Sequence, residues 1–144
     1  MTIFDKWISF DTNIYVFGIR EDPNFPACVA LLERIGELHV YIPRQIIREL
    51  QNNLTPDKVS ELFGLYNQYP DRIRIDWKII PIKSIDRFQR LGCKLGDPVV
   101  AAHLEKQGVY TFVSENRHFL KEIPDLPFRV LSATAALEEM SGIN

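Results

Sequence analysis

Strand-like runs never follow one another directly in this chain. Each apolar, β-branched or aromatic run is separated from the next by a stretch with helical spacing. Trp7 to Phe10, Leu38 to Ile42, Val109 to Ser114 and Phe128 to Leu131 read as strands, and Arg72 to Ile80 as a strand or an extended connection with Ile73, Ile75, Trp77 and Ile79 on one side. Between them lie helical patterns over Asn13 to Ile19, Ala27 to Ile35, Pro43 to Asn53, Thr55 to Tyr69, Ser84 to Leu91 and Val99 to Gln107, with a last one over Ser132 to Met140. Strands joined by helical crossovers, without successive hairpins, imply a mostly parallel sheet covered on both faces. The expected class is α/β, a three-layer α/β/α sandwich. At 144 residues, without an internal linker or repeat, residues 1–144 are expected to form one domain.

Val109 to Val113 is among the longest apolar runs and is far too short for a bilayer span, and no basic segment precedes a long apolar one at the N-terminus. A cytoplasmic protein without membrane association is the expectation. Cys28 and Cys93 lack metal-binding pair spacing and read as free thiols. The net charge of −2 argues against indiscriminate binding of polyanions, which needs clustered Lys and Arg. Local clusters exist all the same: Arg44 and Arg48 beside Glu49, Arg87, Arg90 and Lys94 before Asp97, and Arg117 with His118 after Glu115. They are either ordinary solvated charges or a positive rim around buried acids.

Four acids draw attention by position. Asp11 emerges from the carboxyl end of the first strand, where ligands of open α/β sheets bind. Glu49 sits on the helix after the second strand, Asp97 at a helix start, and Glu115 at the end of the fourth strand. Taken singly, each has a plain structural reading: Asp11 and Asp97 as helix N-caps, Glu49 and Glu115 as solvated charges. Brought together, they would repel one another unless a divalent cation or a proton neutralised them, and all-oxygen donors favour Mg2+ or Mn2+ over zinc. Thr12 and Asn13 are placed either to cap the next helix or to hold Asp11 by hydrogen bonds.

In order, Phe10-Asp11-Thr12-Asn13, Ile46-Ile47-Arg48-Glu49-Leu50, Lys94-Leu95-Gly96-Asp97-Pro98-Val99-Val100-Ala101-Ala102 and Phe112-Val113-Ser114-Glu115-Asn116-Arg117-His118-Phe119 resemble the PIN-domain nucleases, a family that includes the VapC toxins. The resemblance spans nearly the whole chain. It implies a compact α/β/α fold and RNA cleavage with acid-bound Mg2+ or Mn2+, a metal-activated water attacking the phosphodiester. Asp11, Glu49 and Asp97 match the family's three most recognisable acids. After the last long strand the family often has Thr-x-Asp-x-Asp-Phe, and this chain departs from it: Ser114 matches the Thr and Asn116 falls where Asp is often found. The fourth position therefore goes either to Asn116, as a neutral ligand or water-positioning group, or to Glu115 as a metal ligand. Thr12, Asn13 and Ser114 would orient the ligands, and Arg48, Lys94, Arg117 and His118 would contact RNA. An antitoxin protein and a homodimer, with Phe63, Tyr66 and Tyr69 as contact candidates, complete the expected partners. The competing reading is an inactive PIN-like module that binds RNA or protein.

Overall fold

The computed structural model describes residues 2–94, 96–116 and 118–142. Five parallel strands form one sheet in the order β3-β2-β1-β4-β5: β1 (Trp7–Phe10), β2 (His39–Pro43), β3 (Ile73–Asp76), β4 (Thr111–Val113) and β5 (Arg129–Leu131). Helices α1 (Thr12–Ile19) and α2 (Pro26–Glu33) connect β1 to β2, while α3 (Arg44–Asn53) and α4 (Pro56–Asn67) connect β2 to β3. The chain then crosses back through α5 (Ile82–Arg90) and α6 (Asp97–Gln107) to β4. A one-turn π-helical segment, His118–Glu122, leads towards β5, and α7 (Ala133–Met140) follows β5.

This order has a consequence for the site. The path steps from β1 outward to β3 and then returns to the other side of β1. Right-handed crossovers therefore put α1 to α4 on one face and α5 with α6 on the other. β1 and β4 are neighbours whose connections leave in opposite directions, which opens a crevice at their carboxyl ends. The layered α/β/α arrangement expected from the alternation is the one found, and the sheet is parallel throughout its five strands.

The core forms because both faces of the central strands are covered. Ile8, Phe10, Val40, Ile42, Phe112 and Val113 are all buried, as are Ile14, Leu31, Ile46 and Leu50 from the overlying helices. Ser9 is buried among them without penalty, since its hydroxyl donates to the Tyr41 carbonyl at 2.7 Å. Helix starts follow local chemistry: Thr55 and Ser132 accept backbone N–H groups as N-caps, with Pro56 in the first turn of α4. Gly108 ends α6 at φ 67°, a left-handed conformation that side chains other than glycine's rarely tolerate.

Two local expectations are corrected. The third strand stops at Asp76, and the run beyond it does not keep one apolar side: Trp77 and Ile79 are 56% and 77% exposed, whereas Ile80 is buried. The cause is Asp76, which is buried by accepting the Tyr41 hydroxyl and the Lys78 N–H and so turns the chain out of the sheet. Tyr66, expected at a dimer surface, is in the core edge-on against Tyr15. Cys28 and Cys93 are free and buried. Among the described residues no helix is long and apolar enough to cross a membrane.

Candidate functional site at the ends of β1 and β4

Asp11 leaves β1 with its backbone N–H donating to the Val113 carbonyl at 2.8 Å, so the register of the β1–β4 pair fixes its position. Its Oδ1 accepts the Thr12 N–H at 2.8 Å and caps α1. Its Oδ2 accepts the Ser114 hydroxyl at 2.7 Å. The capping reading and the functional reading are therefore compatible, because one oxygen serves the helix while the other faces the end of β4.

Glu49 is carried in by α3. Arg44, Gln45, Arg48 and Glu49 make two adjacent four-residue pairs on that helix, so Gln45 lies one turn before Glu49 on the same strip. The Thr12 hydroxyl donates to Glu49 Oε1 at 2.7 Å, and the Gln45 amide donates to Oε2 at 3.0 Å. Glu49 Oε2 also lies against Gly96, where a Cβ would stand 2.3 Å from it and 2.7 Å from Gln45 Nε2. Glycine at 96 is thus the space that Glu49 and Gln45 occupy. Neither Gln45 nor Gly96 stands out in the sequence as a site residue, although the Gln45–Glu49 spacing is visible there.

Asp97 follows immediately. It was expected to cap α6, but Gly96 holds the N-cap position without a side-chain cap bond, and Asp97 is the first helical residue. Its carboxylate is not consumed by capping. A half-buried acid at a helix N-terminus is favoured by the helix dipole, yet burial followed by the charges of Asp11 and Glu49 pushes its pKa from 3.8 up to about 7, with His118 pulling the other way. Asp11 rises from 3.8 to about 6: burial raises it most, the Ser114 and Thr12 hydrogen bonds lower it, and Glu49 raises it again. Asp11, Glu49 and Asp97 therefore share one electrostatic neighbourhood.

The end of β4 is arranged differently from the simplest expectation. The Glu115 carboxylate accepts the Ala133 N–H at 2.9 Å at the start of α7, and its charge is felt by Cys28 of α2, whose thiol is pushed up to about 12 mainly by burial. The structure does not bring Glu115 to the three acids. A carboxylate on an open helix N-terminus satisfies a donor that otherwise lacks a partner, and this fixes its direction. Asn116 Oδ1 accepts the His118 N–H at 3.0 Å, while its own N–H donates to Ser114 Oγ at 3.0 Å. Asn13 Oδ1 accepts the Glu115 N–H at 3.3 Å and ties the two strand ends together. Among the described residues, no three His, Cys, Asp or Glu side chains converge closely enough, as placed, to clasp an ion.

Of the expected RNA contacts, Arg48 and Lys94 are exposed. His118 is half-buried, with Nε2 2.8 Å from the Gly92 carbonyl and Nδ1 3.5 Å from Glu122. Arg117 lies outside the described residues.

No protein-family model and no curated protein matches the sequence. Solved structures do. A chain of VapBC2 from Rickettsia felis, crystallised bound to a DNA fragment from their promoter, is similar with a TM-score of 0.60 at 21% identity, over 88% of this chain and 98% of that one. PAE2754 from Pyrobaculum aerophilum gives 0.56 at 13% identity, over 94% and 97%. The fold is PIN-like, of the VapC kind.

The raised carboxyls give a pH signature for the metal-free protein. A folded-state pKa above the unfolded one means that stability is complete below the unfolded value and is lost as pH climbs through the folded value. For Asp11 the span from 3.8 to about 6 corresponds to on the order of 3 kcal/mol near neutrality. Urea unfolding of Asp11→Asn and the parent in EDTA should show the variant gaining on the parent by roughly 2–3 kcal/mol between pH 4 and 7, then holding level. A difference that stays flat across that range contradicts this account of the burial cost.

Proposed function

We propose that this PIN-like domain is a metal-dependent endoribonuclease, hydrolysing RNA phosphodiester bonds with Mg2+ or Mn2+. The observation that carries the reading is the group Asp11, Glu49 and Asp97 at one crevice, with two carboxyls raised by burial and mutual repulsion. Such a group is costly to keep and has little structural purpose: only one oxygen of Asp11 caps a helix, and Asp97 caps none. Oxygen-only donors with surplus negative charge fit a hard divalent cation in kind, and each carboxylate keeps lone pairs beyond those its hydrogen bonds use.

Asp11, Glu49 and Asp97 would hold the ion, and Asn116 is the proposed fourth member as a neutral oxygen donor or a group that positions water. Glu115, with its carboxylate on α7, is the weaker candidate for that place. Held by these residues, Mg2+ or Mn2+ would supply charge neutralisation for the phosphodiester and a lowered pKa for the attacking water. The protein supplies orientation. Ser114 fixes one oxygen of Asp11, Thr12 and Gln45 fix both oxygens of Glu49, and Asn13 keeps the end of β4 beside α1. Arg48, Lys94, Arg117 and His118 are proposed, from their sequence positions next to the acids, to meet RNA phosphates.

A protein partner goes with the same reading. An antitoxin, as the resemblance to the VapC toxins implies, is the proposed regulator here in a cytoplasmic setting. A homodimer is proposed through the open apolar groove between α3 and α4, of about 470 Å3, lined by Leu54, Val59 and Phe63 among others. The competing reading, a binding module without chemistry, keeps the fold but expects metal to change nothing.

Two measurements test these proposals. Purified protein should cleave single-stranded RNA only with Mg2+ or Mn2+. Asp11→Asn should lower the rate by at least about a hundredfold with the fold kept, and Asn116→Asp should need less Mn2+ for half-maximal rate, because hard cations bind more tightly as ligand charge rises. Full cleavage by Asp11→Asn defeats the mechanism. Light scattering at micromolar concentration should give the mass of two chains, and a single-chain mass throughout removes the dimer.

A further inference from the structure

A second concavity shares a wall with the acid cluster. It has a volume of about 170 Å3 and is bounded by α3, by the segment following β3 and by α5 and α6. Its cations come from two directions: Arg44 and Arg48 from successive turns of α3, and Lys78 from the segment beyond β3. Among the described residues, none of the three forms an ion pair. The apolar side chains of Ile80 and Val99 line the same hollow. Cations around an apolar concavity act through a low local dielectric, which strengthens their pull on an anion compared with the same charges on a convex surface.

The hollow is held in shape from below. His103 is 1% exposed, and its Nε2 lies 2.9 Å from the Lys78 carbonyl. Burial lowers the His103 pKa, so the ring is neutral and Nε2 carries the donated proton. That bond fixes the backbone bearing Lys78. Gln45 is the shared wall: it lines the hollow and donates to Glu49 Oε2 at 3.0 Å. Val99 lines the hollow too, two residues after Asp97. The space is ample for a phosphate, whose bulk is that of two or three waters at roughly 30 Å3 each.

We propose that this hollow is a phosphate subsite for a single RNA strand, in which Arg44, Arg48 and Lys78 hold the phosphodiester next to the one at Asp11, Glu49 and Asp97. The proposal rests on the ribonuclease reading and adds to it a direction for the strand, from the acid cluster past Gln45 towards the segment after β3. The subsite binds without metal, since its charges are all the protein's own. It holds backbone and carries little base specificity.

The test is binding of a short fluorescein-labelled oligouridylate in EDTA, followed by anisotropy against KCl concentration. The parent should bind. Arg44→Gln with Lys78→Gln should weaken binding about tenfold or more at low salt and reduce the slope of log K against log salt by roughly 0.7 for each phosphate no longer neutralised. Lys58→Gln, on α4 and paired with Glu61, should bind like the parent. Thermal unfolding of each variant confirms that the fold is kept, as expected for exposed Lys78 and half-buried Arg44. Parent-like binding by the double variant, or an equal loss in Lys58→Gln, overturns the subsite. So does uridine monophosphate binding as tightly as the oligomer, because the hollow would then take a free nucleotide. A parent that cleaves RNA with Mn2+ but does not bind it in EDTA overturns the subsite alone, whereas a parent that neither binds nor cleaves removes the ribonuclease reading with it.

Discussion

The hydrogen bond from Ser114 to Asp11 joins two strand ends that are 103 residues apart in sequence, and the rest of the site is arranged around it. It exists only because β4 crosses back to lie beside β1, with Ile8, Ser9 and Phe10 in register with Thr111, Phe112 and Val113. That register delivers the hydroxyl to the carboxylate. It also places Asn13 against the Glu115 N–H, so that α1 and the end of β4 are clamped at two points. From this corner α3 brings Glu49 to Thr12, and the start of α6 sets Gly96, the residue before Asp97, against Glu49.

Such a corner opposes folding. A carboxylate taken out of water loses hydration that two hydrogen bonds only partly replace, and two further acids nearby add repulsion. Burial pushes the Asp11 pKa up to about 6 despite the bonds from Ser114 and Thr12. The apolar core, with Phe10, Ile14, Ile46 and Phe112 fully buried around these elements, supplies the stability that tolerates it. The Arg129–Glu139 pair shows the contrast. Arg129 meets Glu139 through two hydrogen bonds of 2.8 and 2.9 Å, and both residues are half-buried. The acid cluster carries a cost for which its own contacts give little structural return, which is the physical ground for the functional reading.

Much of this was legible in the sequence. Strands separated by helical spacing required crossovers, crossovers required a parallel sheet, and a parallel sheet put Asp11 and Ser114 at one edge. Glu49 and Asp97 followed from the order of motifs. What was not legible depends on where a side chain turns at the end of an element. Glu115 and Asn116 are adjacent, and nothing in their local sequence says that the first will reach the N-terminus of α7 or that the second will fold onto the His118 N–H. Nothing local marks Asp76 either. Its burial against Tyr41, a residue 35 positions earlier, sends Trp77 and Ile79 outward and creates the segment that carries Lys78. The role of Gly96 as space for Glu49 appears only once α3 and α6 are packed.

The central claim is that Asp11, Glu49 and Asp97 are an incomplete group without a divalent cation. Thermal unfolding with and without Mn2+, for the parent and for Asp11→Asn, tests it most directly. A ligand that binds only the native state at a hundred times its dissociation constant adds about 2.7 kcal/mol, which for a domain of this size raises Tm by roughly 5–10 °C. The parent should show that rise, and Asp11→Asn should start from a higher Tm in EDTA at neutral pH and show little or none. A parent unaffected by Mn2+, or a variant that rises as far as the parent, would contradict the account.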